Sequence, residues 1–388
     1  MKVFLRDILK LIYHNNIKEI QKNINEELNI KENLSFLGAP GTGKTTKILN
    51  NHKYDESMTI TNICSLNISN EKIKAETIYQ KLQLYKPENW HKSMKKLSNK
   101  TVWIDEFSMV NKYIWNFILL LSIKYNTKFI ITGDINQISP VNENKLNINN
   151  YVLNKILGKV EYLNKDYRND KEIIILRDYI INEPENKIKE EFKKLDCKDD
   201  WVKYDRHICF TNNMRHYINH KIIKDRNLTY KINYDNSNKF KDMEISNNVL
   251  LKCRITRKTK NIYKGDIWRV IDKIDNSYKL LNLRDNKNEI FKMEDMVYFE
   301  LGYAITAHSS QGLTIEDDLC IHEIDKMIIM DTSILYTAIT RSKEFNKLHL
   351  YYNSKIDSLY FEIIKLPKIT IYDDEDFEFN KNQELQAL

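Results

Sequence analysis

The octet Gly38-Ala39-Pro40-Gly41-Thr42-Gly43-Lys44-Thr45 constrains this chain more than any other stretch. It follows the apolar run Leu34 to Leu37 and matches the strand–GxxxxGK[ST]–helix pattern at every fixed position. Glycines there let the backbone curl so that its N–H groups converge on phosphate oxygens. Lys44 adds a mobile positive charge for β- and γ-phosphates, and Thr45 a hydroxyl for Mg²⁺. The helix expected to start here points its positive end at the same anion. The whole chain has eight glycines in 388 residues, far below the average of ~7%. Three of them stand in this octet, so composition does not explain the match. An ATP–Mg²⁺ site on an α/β sheet is the expectation.

A chain of this length should hold two or three compact units, at roughly 150 residues each. Net charge is +7, a modest excess that favours a polyanionic partner. The five cysteines (Cys64, Cys197, Cys209, Cys253, Cys320) are scattered, with no CxxC pair. That argues against a zinc site or a disulfide framework and for a reducing compartment. No apolar run approaches the ~18 residues of a membrane span, and the N-terminus lacks a secretory h-region. A soluble protein of the cytoplasm or nucleus is expected.

Residues 1–30 read as two amphipathic helices broken near Asn15-Asn16. Met58-Thr59-Ile60-Thr61-Asn62-Ile63-Cys64 reads as a second strand, followed by Ala75-Glu76-Thr77-Ile78-Tyr79. Residues 82–100 are polar and basic around Pro87 and Trp90, either a solvated excursion or a small protrusion that touches nucleic acid. Thr101-Val102-Trp103-Ile104-Asp105-Glu106 is a buried-strand run ending in two carboxylates. Ligands gather at the C-terminal ends of parallel strands, so both acids belong beside the octet. Asp105 is the candidate Mg²⁺ ligand, and Glu106 the group that orients and deprotonates water. Lys128-Phe129-Ile130-Ile131-Thr132-Gly133-Asp134-Ile135-Asn136-Gln137 repeats the plan. The neutral amide of Gln137 can bond a γ-phosphate and change partners when it leaves.

The segments Gly-Ala-Pro-Gly-Thr-Gly-Lys-Thr-Thr (ending at Thr46), Ile-Asp-Glu-Phe-Ser-Met and Gly-Asp-Ile-Asn-Gln-Ile-Ser-Pro-Val, in this order, resemble motifs I, II and III of superfamily 1 helicases. The Asp-Glu-Phe-Ser-Met form is similar to the 5′→3′ branch with its RecD, Dda and Pif-type enzymes. The resemblance implies further roles. Gln21 lies where many helicases place an adenine-reading glutamine. Leu163-Asn164-Lys165-Asp166-Tyr167-Arg168-Asn169 resembles motif IV and gives Arg168 to the ATP. His207-Ile208-Cys209-Phe210-Thr211-Asn212-Asn213 is similar to the segment that opens the second RecA-like lobe. Residues 245–299 resemble the small β-barrel such helicases insert there, with Lys264 departing from the usual Asn-Gly-Asp turn. Gly302-Tyr303-Ala304-Ile305-Thr306-Ala307-His308-Ser309-Ser310-Gln311-Gly312 resembles motif V, with Gly312 near the nucleotide and Ser309 where lysine is common. The segment from Asp331 to Lys343 resembles motif VI and reads as a helix with its basic end last. Its Arg341 is then the arginine finger.

The sequence therefore predicts an α/β protein: two RecA-like P-loop lobes with a small β-barrel inserted in the second. The expected divisions are N-terminal helices at 1–30, lobe 1A at 31–160 with a pin at 82–100, lobe 2A at 161–244 and 300–366, the barrel at 245–299, and an acidic tail at 367–388. The implied activity is an ATP- and Mg²⁺-dependent DNA helicase moving on single-stranded DNA, 5′→3′, and acting on tailed duplexes. Thr61, Asn62, Thr77, Trp90, Thr211, Asn212, Thr306, His308 and Ser309 are the candidate strand contacts, and the acidic tail a candidate protein-docking segment. An RNA helicase of the same superfamily, or a translocase that remodels complexes without unwinding, would share the same motor. A non-motor P-loop protein such as a kinase has no use for motifs IV to VI.

Overall fold

The computed structural model describes residues 33–69, 75–140, 151–234, 240–257 and 262–356. The helices expected over 1–30, Gln21 with them, and the acidic tail lie outside the described residues. The chain divides into two compact units, Met1–Arg168 and Asn169–Leu388, here lobe 1 and lobe 2. Among the described residues no helix is long and apolar enough to cross a membrane.

Lobe 1 is built on six parallel strands, β1 (Leu34–Leu37), β2 (Glu56–Thr59), β3 (Glu76–Thr77), β4 (Thr101–Ile104), β5 (Lys128–Gly133) and β6 (Lys159–Tyr162), in the order β3-β2-β4-β5-β1-β6. Val102, Trp103 and Ile104, like Phe129, Ile130 and Ile131, are buried in unbroken runs. Such runs mark strands covered on both faces. The connections run through α1 (Lys44–Asn51), α2 (Asn62–Ile68), α3 (Ile78–Leu82), α4 (Trp90–Lys95), α5 (Lys112–Tyr125) and α6 (Tyr151–Leu157).

Three expectations change here. The second strand stops at Thr59 rather than continuing to Cys64. Thr61 accepts a hydrogen bond from the Cys64 N–H at 3.2 Å, and this cap starts α2 where the apolar pattern alone reads as more strand. The 82–100 stretch packs as helix rather than running as a charged loop. Ser93, Met94 and Leu97 are buried, and Trp90 sets its ring edge-on to Phe117, 5.0 Å between centroids, while its indole N–H donates to the Leu84 carbonyl at 3.1 Å. Trp90 is thus an anchor onto α5. Finally, β6 pairs with β1, and the boundary expected at 160/161 falls after Arg168.

Lobe 2 opens with α7 (Lys171–Asn182) and α8 (Glu185–Lys194), followed by β7 (Arg206–Cys209) and α9 (Asn212–Asp225). A hairpin, β8 (Tyr230–Tyr234) with β9 (Phe240–Ile245), precedes β10 (Leu250–Cys253), β11 (Ile267–Ile274), β12 (Ser277–Asn282), β13 (Asn288–Lys292) and β14 (Phe299–Leu301). The last five form an antiparallel sheet in the open order β13-β12-β11-β10-β14. This sheet occupies the expected barrel region but is open, with no closure into a barrel among the described residues; its buried Trp268 ring meets Phe291 edge-on at 5.1 Å. Gly265 (φ 95°) makes the turn, and buried Asp266 accepts from Arg284 and Asn282. The turn's required parts survive the lysine at 264.

The remaining elements are β15 (Ala304–Thr306), β16 (Leu319–His322), α10 (Ile324–Met330), α11 (Thr332–Ile339) and β17 (Leu348–Tyr351). They complete a second parallel sheet, β15-β7-β16-β17. The helix expected to carry Arg341 ends at Ile339, so Arg341 lies in the turn beyond it.

This second sheet buries two imidazoles against each other. His207 Nε2 donates to the Tyr204 carbonyl at 3.0 Å; a carbonyl only accepts, so His207 Nδ1 carries the lone pair. His322 Nε2 therefore donates to it across 3.1 Å, and His322 Nδ1 accepts from the Ser354 hydroxyl. Burial pushes the His207 pKa down to about 4, and burial together with His207 holds His322 well below its ordinary value. Both rings stay neutral in the fold, whereas in the unfolded chain they gain protons near pH 6.5. Stability is therefore complete above about pH 6.5 and declines as the pH falls toward 4, His207 alone contributing on the order of 3 kcal/mol. Melting temperatures measured from pH 7.5 to 4.5 should fall over this window; a flat profile contradicts the neutral pair.

Candidate nucleotide site

The octet leaves β1 and enters α1 as a loop tied to its neighbours. Gly38 N–H donates to the Gly133 carbonyl at 3.1 Å. Gly41 (φ 90°) and Gly43 (φ 76°) take left-handed conformations that glycine alone adopts freely. A Cβ at Gly38 would stand 2.3 Å from the Leu163 carbonyl oxygen. Thr42 is buried and donates to the Ala39 carbonyl at 2.8 Å, Pro40 is buried beside it, Thr45 is half-buried and Thr46 exposed. Lys44 Nζ folds back over the loop, donating to the carbonyls of Gly38 at 2.6 Å and Ala39 at 2.8 Å. Burial lowers its pKa, against the pull of Glu106, Asp134 and Asp105, while Arg168 adds to the fall.

The acids stand at the C-terminal ends of β4 and β5. A relay holds the first: Trp103 Nε1 donates to Thr132 Oγ1 at 2.8 Å, and that hydroxyl donates to Asp105 Oδ1 at 2.6 Å. The Glu106 N–H donates to the same oxygen at 3.0 Å. Burial raises the Asp105 pKa, with Thr132, Lys44 and the Glu106 N–H acting in the opposite sense. Glu106 takes a left-handed conformation (φ 56°, ψ 49°), which turns it out of the strand direction. The turn lies against β5 only because Gly133 has no side chain, since a Cβ there would meet Phe107 Cδ1 at 2.4 Å. Gln137 is buried, and its Oε1 finds no hydrogen-bond partner among the described residues. Lys44, Asp105, Glu106, Asp134 and Gln137 thus come from three loops to one sheet edge.

Arg168 belongs to this lobe rather than to the second. Residues 163–168 run back along the octet: Leu163 N–H donates to the Leu37 carbonyl at 2.7 Å and Tyr167 N–H to the Gly41 carbonyl at 2.9 Å. These bonds carry Arg168 close enough to affect Lys44. They also place a residue that sequence reasoning missed. The Tyr167 ring is 70% exposed, beside Gly43, with Lys165 Nζ 4.9 Å from its centroid. An aromatic preceding the arginine was the available signal.

Apart from Trp90, the candidate strand contacts fall at or just beyond the ends of strands of the two parallel sheets. Thr61, Thr77 and Thr211 are each the N-cap of the helix after a strand, accepting from Cys64, Gln80 and Met214 N–H groups at 3.2 Å. Their hydroxyls are therefore first of all caps. Asn62 takes a long hydrogen bond from Gln80 at 3.4 Å, and Asn212 is exposed. Ala307 N–H donates to the Cys209 carbonyl at 2.9 Å, which sets the 306–309 loop beside the start of α9. In that loop Thr306 and Ser309 share a hydroxyl–hydroxyl bond of 3.0 Å, and burial lowers the pKa of His308. Gly312 has φ 78°. Arg341 is 2% exposed, so it is no solvated surface arginine. Its Nε donates to the Thr337 carbonyl at 2.9 Å, Nη1 to the Leu313 carbonyl at 3.2 Å and Nη2 to Thr340 Oγ1 at 3.1 Å.

A family model described as an AAA domain matches residues 21–143. No curated protein matches the chain. Among solved structures, Bacteroides Pif1 bound to single-stranded DNA is similar at 18% identity and a TM-score of 0.60, over 96% of this chain and 97% of that one. Pif1 helicase from Candida albicans is similar at 16% identity and 0.60, over 96% and 99%. A structure of two coordinating Pif1 helicases unwinding forked duplex DNA is similar at 17% and 0.59, over 96% and 98%. At these identities the likeness is one of architecture: the chain has the two-lobe α/β fold of the Pif1 helicases.

Proposed function

We propose that this protein is an ATP-dependent DNA helicase that moves along single-stranded DNA. The observation that carries the reading is the convergence of Lys44, Asp105, Glu106 and Gln137 on one sheet edge, in a chain that adds a second parallel lobe with a hydroxyl-rich loop. The residues fit a Mg²⁺-nucleotide. Lys44 Nζ is held by the Gly38 and Ala39 carbonyls of the loop, and Gln137 buries an unpaired amide oxygen at the same edge.

ATP supplies the phosphoanhydride bond and Mg²⁺ the charge neutralisation. Lys44 would exchange the Gly38 and Ala39 carbonyls for phosphate oxygens. Thr45 and Asp105 would hold the cation, Asp105 kept in one orientation by Thr132. Glu106 orients water and takes its proton, and Gln137 senses the terminal phosphate. The exposed ring of Tyr167 offers a face for the base, and Arg168 and Arg341 contribute positive charge. The 5′→3′ polarity follows from the sequence resemblance. Support for DNA comes from the neighbours of the same fold bound to single-stranded DNA and, in one case, to ADP-AlF₃ as well. RNA as the track and a protein partner for the acidic tail belong to the same proposal as alternatives; ATPase stimulation by single-stranded DNA against RNA at matched salt decides the first.

Lys44→Ala is expected to lower kcat by about 10²–10³-fold, the effect of losing one preorganised charge at the reacting phosphates. Steady-state phosphate release with saturating single-stranded DNA measures it, and near-normal turnover refutes the phosphate assignment.

A further inference from the structure

The two parallel sheets end in the same local design. In lobe 1, β4 is followed by Asp105, by Glu106 in the left-handed region (φ 56°, ψ 49°) and by a helical turn, Phe107–Met109. In lobe 2, β16 ends at His322 and is followed by Glu323 in the same region (φ 59°, ψ 37°) and by α10. Ile104-Asp105-Glu106 and Ile321-His322-Glu323 therefore occupy equivalent steps of strand, turn and helix. The neighbouring unit recurs as well: β7 pairs with β16 as β2 pairs with β4, and β7, Thr211 and α9 repeat the course of β2, Thr61 and α2, each threonine capping its helix.

The destination of the glutamate differs. Glu323 is 0% exposed and turns its carboxylate onto the β7–α9 turn. Oε2 accepts from the N–H groups of Phe210 at 3.1 Å and Thr211 at 2.8 Å. The Thr211 hydroxyl donates to Oε1 at 2.9 Å or Oε2 at 3.0 Å, and Lys326 Nζ donates to Oε1 at 2.6 Å. Two successive backbone N–H groups, a hydroxyl and an ammonium at the start of a 14-residue helix form the donor set that binds phosphate in proteins. A buried carboxylate is tolerated only where such donors replace its water.

We infer that lobe 2 contains an oxyanion site of the phosphate-binding type, filled by the chain's own Glu323 carboxylate. His322 stands where Asp105 stands in lobe 1, and as a neutral ring committed to His207 and Ser354 it adds no second negative charge next to the plug. One consequence follows: the Thr211 hydroxyl is taken, which leaves exposed Asn212 and Asn213 to meet a strand at that edge.

Chemical rescue tests it on the full chain. Glu323→Ala should lower the melting temperature by roughly 5–15 °C, given charged hydrogen bonds lost from a buried site in a domain of this size. Sodium formate should restore a large part of that loss, relative to sodium chloride at equal ionic strength, and leave the unaltered protein nearly unmoved. Glu323→Gln fills the space without the charge, so its melting temperature should also fall but without a formate response. An Ala variant that melts like the unaltered protein, or a formate response equal in all three proteins, overturns the inference. Should the Ala variant not fold, an unchanged melting temperature for Glu323→Gln does the same.

Discussion

Arg341→Ala is expected to lower the DNA-stimulated kcat for ATP by about 10³-fold or more, the range of arginine fingers in phosphoryl transfer, with ATP affinity largely kept. The side chain is already organised: it is buried, and its three nitrogens reach the Thr337 and Leu313 carbonyls and the Thr340 hydroxyl. Catalytic use requires the guanidinium to exchange a neutral oxygen for a phosphate oxygen, a stronger charge-assisted bond. A purely structural arginine would behave differently. Its removal would lower the melting temperature, and the folded fraction would turn over normally. Arg341→Lys separates the two roles, because lysine fills most of the volume but lacks the planar fork. We expect it to melt close to the unaltered protein and to remain at least about 10²-fold slow. Full turnover by the lysine variant, or a twofold effect of alanine, would assign Arg341 to the core of lobe 2.

The second large effect is expected for Glu106→Gln: loss of about 10²–10⁴ in kcat, the contribution of a positioned general base, with nucleotide and DNA binding preserved. The amide is isosteric, so the left-handed turn at Glu106 and the packing of Phe107 against Gly133 need not change. Asp105 keeps its bonds from Thr132 and the residue-106 N–H, so cation binding is also retained. The measurement is single-turnover hydrolysis beside equilibrium nucleotide binding. A variant that hydrolyses normally refutes the base, and one that no longer binds nucleotide shows that Glu106 shapes the site instead.

The parts legible in the sequence were those set by local chain chemistry. The octet, the Asp105-Glu106 pair after an apolar run and the Gly133–Gln137 strand end each carry their meaning within about ten residues. The structure gathers all three at one sheet edge. Contacts between distant segments were not legible. Arg168 sits in lobe 1 because β6 pairs with β1 and Tyr167 bonds Gly41, a pairing that no periodicity near residue 165 announces. Trp90 reads as an exposed tip among lysines until Phe117 and the Leu84 carbonyl meet it. The strand extended through Cys64 in the apolar pattern, but a threonine cap overrode that pattern at Thr61. Glu323 and the His207–His322 pair lay unnoticed because their partners stand more than a hundred residues away.

If this chain converts ATP cleavage into movement along a DNA strand, strand displacement with tailed duplexes reports it. With ATP and Mg²⁺, a duplex bearing a 5′ single-stranded tail should be separated and one with a 3′ tail left largely intact, with no separation when ATP is omitted. An ATPase that single-stranded DNA fails to stimulate, together with no displacement from either tail, would refute the helicase reading.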